Sequence, residues 1–420
     1  MIASHDTVSQ DLSLRIAPNF RSWQRDTISR GILPVIAVAG SRGKSTVVRM
    51  LDAIFRAAHL RTVTWTNLGV EIRGRRQHGE LSGWSLALSR LAESTIDIAI
   101  QELHWSTINA VGLPEATYPV AVLTNVLGSY DATTRNGLLE QDRRAGLRLV
   151  QAVHPGGLLI VNGDDPVLPH ITSESGSATA ITSLSEESPV IREHLREGGS
   201  GAWQQDGQLF LGEQNVQMAI GKTIDFPVTL RGAAPSQISN LLAAASTAYA
   251  IGVDVPTIVG ALRHFHTDPE TLPGSFNVFE KGSFRAIVDQ AGPSSALRPL
   301  LRSVNPGNKR RQITVIGDLA GFPLTDVQEI GRLIGRHHGA IIIHSNMDPV
   351  VIDQFRRGIA ANDYPPIVIY LPTERRALNR ALKTAGSDDV LLVLNQGDPG
   401  VAIRALTRYT TPETTTFDFG

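Results

Sequence analysis

The chain has 420 residues, 42% of them hydrophobic, which at roughly 100–200 residues per domain allows two to four domains with sizeable buried cores. Its 39 basic and 40 acidic residues leave a net charge of −1, so the chain as a whole exerts no long-range attraction on nucleic acid or an anionic membrane. The absence of cysteine excludes disulfides, thiolate metal sites and cysteine nucleophiles.

Met1-Ile2-Ala3-Ser4-His5-Asp6 lacks the basic region and apolar core of a secretory signal, so the expectation is a cytoplasmic protein. Residues 1–33 are polar, with Arg15, Arg21, Arg25 and Arg30 among single apolar residues, and are read as an N-terminal arm or helix. From Pro34 the pattern changes. Val35–Ala39 is an apolar strand, a glycine turn follows, and Val47, Val48, Leu51, Ile54 and Phe55 then recur at helical spacing. Further strand-sized runs stand at 96–100, 120–123 and 157–161, separated by stretches long enough for crossover helices. Such alternation implies a parallel sheet covered by helices. Around 170–232 a small β excursion is expected, with a hairpin turning at Asp206-Gly207. Two helices follow, Ser236–Ile251 and Val255–Phe265, with Ser236 and Asp254 as candidate N-caps. Asp268–Gly274 has the composition of a linker, and beyond it strands are expected at 285–289, 313–316, 340–344, 367–370 and 390–394. None of the apolar runs approaches the roughly 20 residues of a membrane-spanning helix.

Only five of the basic residues are lysines, and Lys44 lies in the glycine turn Gly40-Ser41-Arg42-Gly43-Lys44-Ser45-Thr46. Between a buried strand and a helix, these residue types suit a phosphate. The glycines let backbone N–H groups approach an anion, the helix start adds partial positive charge, Lys44 adds a full one, and Ser45 offers a hydroxyl to Mg²⁺. The strict eight-residue phosphate-loop pattern is not met, because Val38 stands where its first glycine would be. Glu102, at the end of the strand 96–100, is placed where ligand chemistry concentrates in such sheets. Asp164 and Asp165, before Pro166, read as turn residues, and Trp105 as a packed side chain.

The segment Ala39–Leu51 resembles the ATP-binding loop of the Mur ligase superfamily, in the form carried by poly-γ-glutamate synthases. Thr66-Asn67, Glu102, Thr124-Asn125-Val126 and Asn162-Gly163-Asp164-Asp165-Pro166 follow in the order of that family's motifs. Leu230-Arg231-Gly232 with Gln237–Ala245 resembles the family segment that ends in Asn and an alanine-rich helix, Pro273–Glu280 with Ile287-Val288-Asp289 resembles the entry to the last domain of cyanophycin synthetase, and Gly317-Asp318 resembles the family's Gly-Asp-Arg region. The resemblance implies an α/β fold: a central parallel-sheet ATPase domain over 34–268, followed by a smaller Rossmann-like domain over 269–420. It also implies ATP and Mg²⁺. Lys44 would hold the β- and γ-phosphates, Ser45, with or without Thr46, and Glu102 the metal, Asn240 the adenine, and Asp289 and Asp318 would close over the nucleotide.

By the same resemblance the chain is an ATP-dependent amide ligase that joins an amino acid to a carboxylate acceptor such as the end of an amino-acid polymer. Nucleic acid and a membrane span are not expected, and a homo-oligomer or a partner ligase stays open. The chain departs from the family at several motif positions. Tyr130 stands where a histidine is usual, with Asp131 beside it, and Arg143-Arg144-Ala145-Gly146 stands where many members have a lysine that is carbamylated. Gly292 falls within the place of a His-Asn pair, Leu319 replaces an arginine, and Ser275 follows Pro273-Gly274 in place of another. These departures motivate the alternative of a catalytically impaired, nucleotide-binding partner of another ligase.

Overall fold

A computed structural model of the chain describes residues 19–126, 135–172, 175–213, 216–304, 310–317, 319–345 and 347–409. The strands of the first sheet are β1 (Val35–Ala39), β2 (Thr62–Thr66), β3 (Gly69–Ile72), β4 (Arg75–Arg76), β5 (Ile98–Leu103), β6 (Tyr118–Leu123), β7 (Val153–Asn162), β8 (Ala178–Ser183), β9 (Ser200–Gln205), β10 (Gln208–Glu213) and β11 (Val216–Lys222). They lie in the order β11-β10-β9-β8-β7-β6-β1-β5-β2-β3-β4, and the run from β9 to β2 is parallel. Every residue of β1, β5 and β6 is buried, as expected of strands covered on both faces. The helix Lys44–Ala57 supplies part of that cover, with Val47, Val48, Leu51, Ile54 and Phe55 inaccessible to solvent. The expected β excursion is instead a continuation of the same sheet. β8 pairs parallel to β7 and β9 to β8, and the chain then turns back through antiparallel β10 and β11. The hairpin turn is at Asp206-Gly207 as read, both residues having positive φ (49° and 76°), the backbone of a type I′ turn.

The second sheet comprises β12 (Asn277–Lys281), β13 (Phe284–Gln290), β14 (Gln312–Gly317), β15 (Gly339–His344), β16 (Ile367–Leu371) and β17 (Val390–Asn395), in the order β12-β13-β17-β14-β15-β16. All its pairings are parallel except that of the edge strand β12. Alternate residues of the parallel strands face two separate apolar layers, Ile316, Ile341 and Leu392 on one side and Val315, Ile342 and Leu391 on the other. The chain thus divides into two compact units. The first gathers described residues of 1–127, 140–227 and 237–265, and the second those of 128–139, 228–236 and 266–420.

Two local expectations are corrected. The helix read from Ser236 begins at Pro235, whose fixed φ suits a first helical turn, so Ser236 lies inside the helix and is not its cap. Asp254 does cap the next helix, its carboxylate accepting from the Thr257 N–H at 2.9 Å. The segment 268–274 is not a free linker. Asn277 is fully buried, and its amide binds the carbonyls of Thr267 and Leu272 while its oxygen accepts from the Gly274 N–H at 2.7 Å. Gly274 has φ +67°, and a Cβ there would stand 3.0 Å from Pro399.

The helix Phe20–Ser29 is capped by Asn19 and belongs to the first unit. Phe20 packs on Phe55 with ring centroids 6.4 Å apart, and Arg21 reaches the buried Asp97 at 2.7 Å. Asp97 also accepts from the Arg61 backbone N–H (2.8 Å) and guanidinium (2.9 and 3.0 Å). It is left out of β5, which starts at Ile98 and not at the expected Ile96. Burial alone would raise the Asp97 carboxyl, but the hydrogen bonds from Arg61 and Arg21 outweigh it and hold the group well below the usual carboxylate range. The ionised form is therefore the folded form, and its stabilisation is present above the unfolded value near pH ~4 and lost as pH falls below it. Asp97→Asn is expected to cost about 1–3 kcal/mol at pH 7 by urea denaturation, less at pH 3. An equal midpoint for both proteins at pH 7 would contradict this role.

Candidate functional site

The site grows from the register of three strands. Val38 lies opposite Glu102 on β5 and Val122 on β6, so the turn after β1 emerges beside Glu102 and the Thr124-Asn125 pair at the carboxyl ends of the strands. That turn is pinned from the β6 side. Ser41 N–H donates to the Asn125 carbonyl (2.9 Å), Arg42 N–H to Asn125 Oδ1 (3.1 Å), and Thr124 Oγ1 to the Arg42 carbonyl (2.7 Å). Asn162 Nδ2 holds the Thr124 carbonyl at 2.8 Å, and Asp165 accepts from the Val126 N–H at 2.8 Å while capping the short helix at 168. Asp165 thus has the turn-forming role read for it, and it also braces the loop.

Two glycines are required by this packing. Gly40 has φ +152° and a Cβ would meet Thr124 Oγ1 at 1.9 Å, while Gly43 has φ +84° and a Cβ would meet Asn240 Oδ1 at 2.3 Å. The amide of Asn240, itself bonded to Gln237 at 3.3 Å, lies directly against the loop.

Lys44 and Ser45 open the helix. Ser45 Oγ donates to Glu102 Oε2 at 2.8 Å, and Lys44 Nζ lies 3.9 Å from Glu102 Oε1 and 3.4 Å from the Ser41 carbonyl. Both Lys44 and Glu102 are buried, at 6% and 8% exposure. Burial lowers the Lys44 pKa and the Arg42 charge adds to this, while Glu102 and Asp142 oppose it. His104 Nε2 stands 3.3 Å from Glu102 Oε1, and burial together with the Lys44 charge pushes its pKa down, which favours the neutral ring at pH 7. Trp105 is packed as read, at 4% exposure, with its indole N–H unpartnered.

The structure therefore brings Gly40, Ser41, Arg42, Gly43, Lys44, Ser45, Glu102 and Asn240 into one site, with Thr46 buried in the first turn of its helix. Asp289 is the penultimate residue of β13 in the second unit, where it is buried and accepts from the Gln290 N–H. Asp318, Tyr130 and Asp131 lie outside the described residues. The residue missed in the sequence is Asp142, which is buried with Oδ2 lacking any hydrogen-bond partner and whose charge acts on Lys44.

The donors fit magnesium. A hydroxyl and a carboxylate are hard oxygen ligands already side by side, and this ion is usually held by one or two carboxylates together with phosphate oxygens and water. Among the described residues no three His, Asp or Glu side chains gather into a metal cage of their own. No described helix is long and apolar enough to cross a membrane.

Comparison with known proteins gives concordant results. Residues 38–248 match the Mur ligase middle domain. The chain is 27% identical over 369 residues to cyanophycin synthetase of Synechocystis sp., covering 86% of this chain and 42% of that protein. It is 23% identical over 383 residues to the UDP-N-acetylmuramoyl-L-alanyl-D-glutamate–2,6-diaminopimelate ligase of Geobacillus kaustophilus, covering 87% and 74%. The chain therefore spans less than half the length of the cyanophycin synthetases it matches. Among solved structures, the fold is shared with the bifunctional folylpolyglutamate synthase/dihydrofolate synthase of Yersinia pestis, with TM-score 0.63, 16% identity and coverage of 97% and 96%. It is also shared with MurF of Acinetobacter baumannii, with TM-score 0.61, 17% identity and coverage of 92% and 78%.

The close approach of Asn240 to Gly43 can be tested. Gly43→Ala should weaken binding of a non-hydrolysable ATP analogue at least about tenfold by calorimetry, because the methyl group meets Asn240 and the backbone is strained. Gly260→Ala, in a helix with nothing within 4 Å of the new methyl, should leave that affinity unchanged. Equal affinities for the two variants would contradict the placement of the loop against Asn240.

Proposed function

The chain belongs to the Mur ligase family, and from that premise we propose that it is an ATP-dependent carboxylate–amine ligase. The observation that carries the reading is the pair of buried charges Lys44 and Glu102, with half-buried Ser45 bonded to the carboxylate, at the carboxyl ends of β1 and β5 beside Gly40 and Gly43. A helix start, an ammonium and converging backbone N–H groups suit the phosphates of a nucleotide. The Yersinia pestis neighbour was solved with AMPPNP and a manganese ion, which supports a nucleotide with a divalent metal here.

In this reading a substrate carboxylate oxygen attacks the γ-phosphorus of ATP, the bond to the β-phosphate oxygen breaks, and ADP leaves. An amine then attacks the acyl carbon, phosphate departs, and the amine loses its proton as the amide forms. Lys44 holds the β- and γ-phosphate oxygens and stabilises the charge on the transferring group. Ser45 and Glu102 would hold Mg²⁺, which when bound neutralises charge on the phosphates. The N–H groups at the helix start, beyond the Ser41 and Arg42 N–H groups that Asn125 occupies, would orient the phosphate chain, and Asn240, beside Gly43, would contact the nucleotide. Catalysis comes mainly from positioning and charge stabilisation. The similarity to cyanophycin synthetase supports an amino acid and an amino-acid polymer end as substrates.

One observation favours a second reading, a nucleotide-responsive partner that has lost ligation. Leu319, at the position where the resembled motif carries arginine, is inaccessible to solvent and packed in the apolar core of the second unit, so no cation is offered there. ADP release that requires both an amine and a carboxylate substrate, and that falls about 10²–10³-fold in Lys44→Ala, is the result expected of the ligase. ATP binding without stimulation by any amino acid or poly-amino acid would overturn ligation and leave the partner reading.

A further inference from the structure

One edge of the first sheet carries a concentration of arginine that the proposed reaction leaves unused. β3 and β4 are joined through Arg73-Gly74, both with positive φ (51° and 73°), in a two-residue turn of the type I′ kind. β4 ends the strand order, and its two residues, Arg75 and Arg76, are exposed. Arg56 reaches the same turn from the helix Lys44–Ala57, with Nη1 3.5 Å from the position a Cβ would take at Gly74. Arg73 is exposed as well, and its Nη2 donates to the Thr95 carbonyl at 3.0 Å. Four guanidinium groups therefore gather around one hairpin of the first unit.

The nearby acids do little to neutralise them. Glu71 accepts from both terminal nitrogens of buried Arg49 at 2.8 Å and stands 3.9 Å from Arg76. Asp52 accepts from the Thr62 hydroxyl at 2.6 Å and stands 3.8 Å from Arg56. Arg75 forms no ion pair among the described residues. The side chains of Arg56 and Arg76 are 60% and 55% exposed, so both remain open to a ligand. With a net charge of −1 over the whole chain, this is a local feature and not part of a broad basic field. A guanidinium fork matches a carboxylate through two hydrogen bonds. β4 is paired on one side only, which leaves main-chain N–H and C=O groups for an extended peptide. Nucleic acid matches the charge but not the strand edge.

The hairpin turn stands away from the phosphate loop. Arg73 N–H donates to the Thr62 carbonyl at 3.0 Å, at the start of β2, whereas the loop leaves β1 at the opposite ends of the parallel strands. The five residues of β2 and the four strand spacings from β1 to β4 separate the two by roughly 15 Å along the strands and roughly 20 Å across them. An extended chain covers that span, about 25 Å, in about eight residues. Resting on the ligase reading, we propose that the edge formed by Arg56, Arg73, Arg75 and Arg76 docks the body of a long acidic poly-amino-acid acceptor whose end occupies the phosphate-loop site. Attachment at two places raises the affinity of a long acceptor without any new contact at its reacting end. An acceptor much shorter than about eight residues does not reach the edge.

The test measures binding of a fluorescent oligo-aspartate of about 30 residues to the full chain by anisotropy, with tetra-aspartate as the short acceptor. The double variant Arg75→Ser, Arg76→Ser should raise the Kd of the long oligomer at least about tenfold, while tetra-aspartate binds both proteins alike. Arg75→Lys with Arg76→Lys, which keeps the charge, should recover part of the loss. If the double serine variant fails to fold by circular dichroism, Arg75→Ser alone is read on the same scale. Equal Kd values for the long oligomer in wild type and folded variant would overturn the proposal. Tighter binding of a single-stranded RNA of equal length, lost in the same variant, would also overturn it and assign the edge to nucleic acid. Binding of the oligomer through these arginines, with no ADP release stimulated by any carboxylate and amine, would instead overturn the ligase reading beneath it.

Discussion

The structure depends on one constraint, the burial of opposite charges where β1 and β5 end. Lys44 and Glu102 are each more than nine-tenths hidden from water, 3.9 Å apart, with Ser45 bonded to the carboxylate. Isolated charges of this kind are expensive to bury, and a close pair offsets only part of the cost. The arrangement persists because the surrounding backbone is over-determined. Strand register sets Glu102 opposite Val38, and Thr124 and Asn125 tie down the loop. The glycines leave no room for side chains. A site built in this way has its electrostatics arranged before a ligand arrives, which is what stabilisation of a transferring phosphoryl group requires.

The rest of the first unit supports that end of the sheet from a distance. Asp97 precedes β5 and anchors both the start of β2, through Arg61, and the helix Phe20–Ser29, through Arg21. The same strand thus carries a structural carboxylate before its first residue and the candidate-site carboxylate, Glu102, near its last. Their surroundings differ accordingly. Asp97 is saturated with donors, whereas Glu102 faces a hydroxyl, an ammonium and an imidazole, groups that can rearrange around a bound ion.

Much of this was legible in the sequence where local pattern and chemistry coincide. The run Val35–Ala39 followed by Gly40 and Gly-Lys-Ser reads as a buried strand entering a helix through an anion-suited turn, and Glu102 followed a strand directly. Long-range pairing was harder to read. Residues 170–232 looked like a separate excursion because alternation within each strand does not reveal that β8 docks on β7. The segment 268–274 has the Pro and Gly content of a linker, yet the single buried Asn277 converts it into a fixed loop. Asp142 escaped notice because its sequence context, Glu140 to Arg144, reads as a solvated charged face. In the structure it falls on the same buried helix face as Ala145 and Leu149, at the i, i+3, i+7 spacing.

The central claim, that the Lys44–Ser45–Glu102 site transfers a phosphoryl group to a carboxylate, has a direct isotopic test. The chain is incubated with ATP, Mg²⁺, an amine and a carboxylate substrate labelled with ¹⁸O in the carboxyl group, and the released phosphate is analysed by mass spectrometry. Transfer of one ¹⁸O atom from the carboxylate into phosphate for each amide formed is the predicted result. Phosphate whose new oxygen comes from water would contradict the account and identify the site as a hydrolase of ATP.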